Sequence, residues 1–503
     1  MLDLDHAACC RIFAARDARF DGRIFVSVRT TGIYCRPICP ARTPKPEHVS
    51  FYPSAAAARW AGFRPCLRCR PELAPEVAAW HGTSSTVVRA LGLIEAGALD
   101  DGNLASLAAH LGISDRQLRR LFQQHLGASP IAVAQTRRVH LAKHLIHETD
   151  LSMTDVAFAA GFGSIRRFNE TFHRLFQRPP ASLRRAGRTT TASAEAVTIR
   201  LPYQPPYDWD GMLAYFRPRT IPGVESVIDG RYARSITLDG QAGTLAVEAA
   251  ARHSLQVTVR FPRLAALPRI IARVRRVFDL AANPALIGAH LAEDRLLAPL
   301  VAARPGLRVP GTWDNFELAV RAILGQQITV AGATRLSGII VANFGTLLDD
   351  PHAQALGLSH QFPTPAQLAG ADIAGLGLMP GARARALLSL AQAVAADPAL
   401  FGPYRDLAST IAHLRSLPGI GEWTAQYIAL RALRETDAFP AADVGLLRAM
   451  EVAFGHRPSP AALLVRAESW RPWRAYAALH LWASLPVAPA VIRQERPDDQ
   501  RAA

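Results

Sequence analysis

The sequence predicts a multidomain chain, mostly α with α+β parts: a small zinc-bound α+β module, an all-α double helix-turn-helix, a second α+β unit, and an all-α domain around a helix-hairpin-helix. Three observations predict it. The 503 residues exceed what one hydrophobic core organises, so several domains each bury their own. Four cysteines fall into two close pairs, Cys35 with Cys39 and Cys66 with Cys69, with 26 residues between the pairs. Such spacing lets four sulfurs converge on one tetrahedral ion, and sulfur at every corner selects zinc. Finally, residues 85–185 repeat a helical pattern with a glycine turn in each copy, which reads as two helix-turn-helix motifs.

The zinc module occupies residues 1–80. A zinc-bound thiolate is a nucleophile as well as a staple, and the flanking sequence sharpens that reading. Cys35 sits in Arg29-Thr-Thr-Gly-Ile-Tyr-Cys-Arg-Pro-Ile-Cys-Pro-Ala-Arg42, and the second pair in Ala61-Gly-Phe-Arg-Pro-Cys-Leu-Arg-Cys-Arg70. Both stretches resemble the N-terminal zinc module of the bacterial Ada family. The resemblance implies that Cys35 accepts a methyl group irreversibly from a methylated DNA phosphate, and that Cys39, Cys66 and Cys69 are the remaining zinc ligands. Arg36, Arg42, Arg64 and Arg68 stand close in sequence to hold that phosphate. The alternative is a purely structural zinc clip. Cys9 and Cys10 fall outside the pattern and read as small apolar residues.

Residues 81–186 carry the repeat. Leu107 to Phe122 echoes Val156 to Phe172, with one extra residue after the glycine. Each copy reads as a short apolar helix, a turn at Gly112 or Gly161, a serine cap at Ser114 or Ser164, and a second helix. Helical spacing turns Leu118, Leu121 and Phe122, and likewise Ile165, Phe168 and Phe172, toward the core. That leaves Arg116, Arg119 and Arg120, with Arg166, Arg167 and Asn169, pointing outward, and arginine and asparagine are the residues that read base edges in the major groove. Down to Gly127-Ala-Ser-Pro130 and the linker helix after it, the segment resembles the AraC-type DNA-binding domain. Residues 187–195 are small and polar and read as a linker.

Beyond the linker, Leu255, Val257, Val259 and Phe261 alternate along one strand and Leu245 and Val247 suggest another, while Ile270, Ile271, Val274, Val277 and Phe278 follow a helical period. Residues 196–305 therefore form the second α+β unit. In residues 306–490 helices dominate. The centre is Leu417-Pro-Gly-Ile-Gly-Glu-Trp-Thr-Ala-Gln-Tyr-Ile-Ala-Leu430, a helix-hairpin-helix whose glycines Gly419 and Gly421 present backbone N–H groups to a phosphate. Phe439-Pro-Ala-Ala-Asp-Val-Gly445 follows, and then the tryptophan-rich stretch from Trp470 to Trp482. Residues 491–503 form a polar tail.

This order resembles the AlkA family of alkylated-base DNA glycosylases, from Tyr203-Gln-Pro-Pro-Tyr-Asp-Trp209 through Arg304-Pro-Gly-Leu-Arg308 and Ala322-Ile-Leu-Gly-Gln326 to Trp482. The resemblance makes 196–305 an AlkA N-terminal-like domain and 306–490 a helix-hairpin-helix glycosylase domain. It implies Asp443 as the catalytic carboxylate, stabilising cationic sugar character or positioning water. It also implies Trp423, Tyr427 and Trp482 as an aromatic pocket that favours a flipped cationic base. Related glycosylases that also cut the backbone carry a lysine where Trp423 stands, so base removal here leaves an intact abasic site. Gln327 stands where the family pattern has an apolar wedge, and Ala442 replaces an acid beside the catalytic one.

Composition bounds the rest. Lys and Arg number 57 against 41 Asp and Glu, a net charge of +16. Residues 1–190 hold 26 basic and 15 acidic residues, a surplus of 11, which suits a polyanionic partner. The expected partners are double-stranded DNA, both alkylated and promoter sites, and RNA polymerase for a regulator of this kind. No secretory pattern opens the chain and no run is apolar enough to span a bilayer, which predicts a soluble cytoplasmic protein and no membrane partner. Cysteine is absent after Cys69, which excludes an iron–sulfur cluster. The whole reading is an Ada–AlkA fusion. The alternative is an AraC-type regulator whose second half is an inactive DNA-binding relic.

Overall fold

Residues 5–17, 20–74, 85–100, 102–184, 196–402 and 406–485 are described in a computed structural model of the chain. The linker at 187–195 and the polar tail at 491–503 lie outside the described residues.

In the zinc module, Asp5 caps the helix His6–Ala14 through the Ala8 N–H. Four short strands follow: β1 (Phe25–Val28), β2 (Ile33–Cys35), β3 (Val49–Tyr52) and β4 (Arg64–Pro65). They form a sheet in the order β3-β1-β2-β4. β2 pairs antiparallel with β1 and parallel with β4, with Ile33 opposite Arg64 and Tyr34 opposite Pro65. The Cys66 N–H then donates to the Tyr34 carbonyl at 3.0 Å. This ladder sets Cys35, the last residue of β2, beside Cys66 and so brings the two cysteine pairs together.

Both helix-turn-helix motifs form. The pairs are Leu104–His110 with Asp115–Leu126, and Met153–Ala159 with Ile165–Phe176. Ser114 and Ser164 cap the second helices, accepting from the Gln117 and Arg167 N–H groups. Leu118, Phe122, Phe168 and Phe172 are fully buried and Leu121 is partly buried. Ile165 departs from expectation: it is 37% exposed. Ile165 is the first residue of its helix, next to the Ser164 cap, and sits at an exposed turn, while Phe162 takes the core position, its ring meeting Phe168 edge-on at 5.3 Å.

The linker helix Pro130–Glu148 joins the two motifs and carries the zinc module along one face. Arg59 donates to Thr136 Oγ1 at 3.3 Å, Tyr34 Oη lies 2.7 Å from His140 Nε2, and Arg70 pairs with Glu148 at 2.7 Å. Lys143, with no exposure, donates to the Cys66 carbonyl at 2.9 Å and to Glu72 Oε2 at 2.7 Å. Lys143 and Arg70 overcome the burial of Glu72 and hold its carboxyl down at about 2. Lys143→Met leaves Glu72 with one cationic partner in a dry interface, and such breakage costs about 3–5 kcal/mol. Thermal unfolding of the variant is expected to show a lower midpoint, with partial recovery in the Lys143→Met/Glu72→Gln double variant.

The second α+β unit is a five-stranded antiparallel sheet. Its strands are β5 (Val197–Pro202), β6 (Glu225–Ile228), β7 (Arg231–Leu238), β8 (Gln241–Ala250) and β9 (Ser254–Arg260), in the order β5-β9-β8-β7-β6. Leu255, Val257 and Val259 of β9 and Leu245 and Val247 of β8 are buried as their alternation requires; Phe261 lies just past β9 and is partly buried. The helix Leu267–Val277 lays Ile270, Ile271, Val274 and Val277 on the same core, and Phe278, its C-cap, is buried with them. That core is continuous with Phe168, Phe172 and Phe176 of the second helix-turn-helix. The flanks of the 187–195 linker are thus joined by packed side chains. Helices from Pro284–Leu291 to Arg474–Ser484 build a separate core that includes Leu324, Leu414, Ile428, Leu446 and Trp470.

Candidate functional site

The Sγ atoms of Cys35, Cys39, Cys66 and Cys69 lie within 4.8 Å of one another and all four residues are buried. A tetrahedron with Zn–S of about 2.3 Å has sulfur edges of about 3.8 Å, so the donor set fits one Zn2+ with four thiolate ligands. Backbone N–H groups of Arg36 and Arg68 point at Cys69 Sγ and Cys66 Sγ, at 3.4 and 3.3 Å. Such contacts favour the deprotonated sulfur. The arginines divide. Arg36 is committed to Asp21, with Nε 2.8 Å from Oδ1 and Nη2 on Oδ2, and it reaches the Cys69 carbonyl. Its guanidinium is thus engaged within the protein, bracing the cysteine loops, where the sequence suggested a phosphate contact. Arg42 and Arg68 are exposed and Arg64 is partly so.

On the second helices of the two motifs, Arg116, Arg119, Arg120, Arg166, Arg167 and Asn169 are all exposed. Two rest on neighbours of their own helix. Arg119 lies 3.9 Å from Asp115, and Arg166 donates to Glu170 at 2.8 Å. These are solvent-accessible i,i+4 pairs, weak enough to yield to a phosphate or a base.

In the last domain the hairpin joins the helices Leu407–Arg415 and Glu422–Arg431. Gly419 has φ +79°, and a Cβ there would meet Ala386 Cβ at 2.3 Å, so only glycine fits. Gly421 is the N-cap of the following helix. Gln326 Nε2 ties the turn down, donating to the Gly419 carbonyl at 2.9 Å and to Thr424 Oγ1 at 3.0 Å. Gln327 is exposed with φ +59°, a side chain held out from the surface by a left-handed residue.

Asp443 caps the helix Val444–Phe454, its Oδ1 accepting from the Leu446 N–H at 3.0 Å. Two indoles complete its environment. Trp423 Nε1 donates to Oδ2 and Trp482 Nε1 to Oδ1, each at 2.8 Å. Trp423 stacks on Tyr427, with centroids 5.4 Å apart and planes 11° apart, and Tyr427 meets Trp482 edge-on at 6.5 Å. The three aromatic residues and the acid of the sequence reading thus converge. Both tryptophans fix the carboxylate, a role the sequence reading did not give them.

Sequence reasoning missed four supports of this cluster. Gly445 leaves room for it, because a Cβ there would sit 2.9 Å from Asp443 Oδ1 and 3.1 Å from Trp482 Cδ1. Gln326 secures the hairpin. Arg431, one helical turn after Tyr427, donates to its hydroxyl at 2.8 Å, and Tyr215 brings a second hydroxyl to 3.3 Å from that of Tyr427. The i,i+4 spacing of Tyr427 and Arg431 was a usable signal; Tyr215 had none. Trp423→Phe keeps the stacking ring and removes one donor to a charged acceptor, worth roughly ten- to a hundredfold. For the base release that the family resemblance implies, the single-turnover rate is expected to fall by that factor while the protein stays folded.

Comparisons with known proteins converge on the same parts. Family models match residues 8–72 as the metal binding domain of Ada, 107–186 as a helix-turn-helix domain, 198–314 as the AlkA N-terminal domain, and 320–475 as the HhH-GPD superfamily of base excision DNA repair proteins. These define a modular DNA repair and regulatory protein. The chain is 41% identical over 485 residues to a probable bifunctional transcriptional activator/DNA repair enzyme AlkA of Mycobacterium tuberculosis, covering 96% of this chain and 97% of that one. It belongs to that family. Over 286 residues it is 38% identical to DNA-3-methyladenine glycosylase 2 of Escherichia coli, covering 56% of this chain and 95% of the relative. A solved structure of a 3-methyladenine DNA-glycosylase from Archaeoglobus fulgidus shares its fold, with a TM-score of 0.50 and 23% identity over 56% of this chain and 96% of that one. No described helix is long and apolar enough to cross a membrane.

Proposed function

We propose that the chain releases alkylated bases of the 3-methyladenine and 7-methylguanine type from DNA at Asp443, and takes a methyl group from a DNA methylphosphotriester at Cys35 to report damage through its helix-turn-helix motifs. The observation that carries the first part is the Asp443 carboxylate, held on both oxygens by indole N–H groups at the edge of an aromatic cluster. A purine methylated at N3 or N7 is cationic, so its glycosidic bond breaks with the electron pair going to the base, which leaves neutral. The carboxylate stabilises the positive sugar and orients water, whose oxygen bonds to C1′ while its proton leaves to the carboxylate or solvent. Trp423, Tyr427 and Trp482 offer π faces to the cationic base. No lysine stands beside Asp443 to form a Schiff base, so the strand stays intact. Gly419, Gly421 and Gln327 lie at exposed turns suited to holding the duplex around the flipped nucleotide.

At the other end of the chain, Cys35, Cys39, Cys66 and Cys69 would hold one Zn2+, which would supply the charge that keeps their sulfurs as thiolates at neutral pH. The Cys35 sulfur attacks the methyl carbon, and the C–O bond breaks with its electrons left on the phosphate oxygen as a diester anion. One negative charge disappears from a cluster beside DNA, so affinity for the phosphate backbone rises. Arg42, Arg64 and Arg68 are the phosphate contacts near the cluster. Arg116, Arg119, Arg120, Arg166, Arg167 and Asn169 read the promoter, RNA polymerase is the partner that an activator addresses, and the cytoplasm is where both meet. One preparation tests both halves: incubation with an alkylated duplex should yield free methylated base, and intact-mass analysis after a methylphosphotriester duplex should show one added methyl group on Cys35. No free base removes the first claim; an unmodified Cys35 removes the second.

A further inference from the structure

Arg431 is 5% exposed and carries its charge among neutral acceptors. Its Nε donates to the Pro310 carbonyl, Nη2 to the Gly311 carbonyl at 3.0 Å, and Nη1 to both the Tyr215 and Tyr427 hydroxyls. Among the described residues no carboxylate pairs with it. The buried acids Glu317 and Glu225 are committed to other arginines: Glu317 to Arg234 at 2.7 Å, and Glu225 to Arg321 at 2.8 Å. A second guanidinium, that of Arg219, lies 4.0 Å over the Tyr215 ring while Arg431 lies 4.8 Å from the same ring. Burying a cation without an anion is costly. The ionisable acids in contact with Arg431 are the two phenols, 3.3 Å apart, and one of them walls the base pocket.

We propose that Tyr427 is a specificity residue whose hydroxyl ionises against Arg431, with Tyr215 and Arg431 as its positioning pair, so that the pocket wall turns anionic and selects cationic bases over neutral ones. The proposal rests on the base-release reading. On ionisation the phenol proton leaves to solvent and the phenolate oxygen keeps the Nη1 hydrogen bond. Of the two phenols Tyr427 is the acid. Burial opposes its ionisation, but Arg431, then Arg219, the Tyr215 hydroxyl and Arg321 outweigh that and hold it below the ordinary tyrosine range. Burial instead pushes Tyr215 up. The other charge near the cluster is Asp443, one indole away through Trp423. A phenolate in contact with a cationic purine gains more than a phenol does, and a neutral purine gains little.

The test uses the full zinc-loaded chain and its Tyr427→Phe, Arg431→Met and Arg431→Lys variants. Ultraviolet difference titration should show one tyrosine ionising below the rest in the wild type. That step should be lost in Tyr427→Phe, move upward in Arg431→Met, and return toward the wild-type position in Arg431→Lys. Single-turnover release of cationic 3-methyladenine relative to neutral hypoxanthine should rise about tenfold as the pH is raised through that tyrosine's ionisation in the wild type and stay flat over the same range in Tyr427→Phe. Thermal unfolding of each variant identifies one that has simply lost its fold, and Arg431→Lys keeps the test open if Arg431→Met is such a case. A wild type with no early-ionising tyrosine, or a selectivity that changes with pH equally in Tyr427→Phe, overturns the proposal. If no base of either kind is released, the base-release reading fails and the titration alone decides the chemistry of Tyr427.

Discussion

Replacing Asp443 with Asn is expected to lower single-turnover base release by about a hundredfold or more and to leave DNA binding and stability nearly unchanged. The substitution keeps shape and changes charge. Asparagine caps helices as well as aspartate does, so the bond from the Leu446 N–H to the side-chain oxygen is retained, together with that from Trp482. The other oxygen becomes an amide nitrogen facing the Trp423 Nε1–H, donor against donor. More important, no negative charge remains to meet the positive sugar. Single-turnover kinetics with enzyme in excess isolates the bond-breaking step, and a gel-shift titration on the same duplex reports binding. Equal base release by variant and wild type contradicts the assignment of Asp443.

Replacing Cys35 with Ser is expected to abolish methyl uptake while leaving base release intact. Serine takes the nucleophile away and leaves three thiolates, so zinc is retained less tightly and a chelator removes it faster. The effect stays local because the zinc cluster packs in its own small core with Phe13, Val26 and Val49, while Leu446 and Trp482 beside Asp443 pack in the separate core of the last domain. The linker helix then moderates how far loss of zinc spreads. Lys143 holds the Cys66 carbonyl, so a loosened cysteine loop disturbs the Glu72 pair and the face the module shares with that helix. Intact-mass analysis, zinc content and base release, read on one sample, separate these effects. Methyl uptake by Cys35→Ser on another cysteine overturns the assignment of the acceptor.

Much of the fold was legible because its signals are local. The spacing within each cysteine pair and its flanks, the period of the two helix-turn-helix motifs, the serine caps and the alternation along β9 each lie within a short stretch of chain. Misreadings came where register or distant chain decides. Ile165 has the spacing of a core residue, but it is the first residue of its helix, and Phe162 before the cap fills the core there instead. Arg36 stands among residues suited to phosphate, yet Asp21, 15 residues earlier, claims it. The candidate site was legible in its members and not in their bonding. The hydrogen bonds from Trp423 and Trp482 to Asp443 span 20 and 39 residues of chain, and Tyr215 reaches Tyr427 across 212. No periodicity encodes such contacts; the first two follow from the packing of helices within the last domain, and the third from the packing of one domain on the next.

The decisive measurement is product analysis of an end-labelled duplex carrying 3-methyladenine after incubation with the purified wild-type chain. The account predicts free methylated base together with a full-length strand that breaks only on treatment with alkali, because a carboxylate framed by indoles hydrolyses the glycosidic bond and no amine stands at the position of Trp423 to open the sugar. A strand cut without alkali, or no free base at all, contradicts it. The second of these outcomes favours a regulator whose glycosylase half only binds DNA.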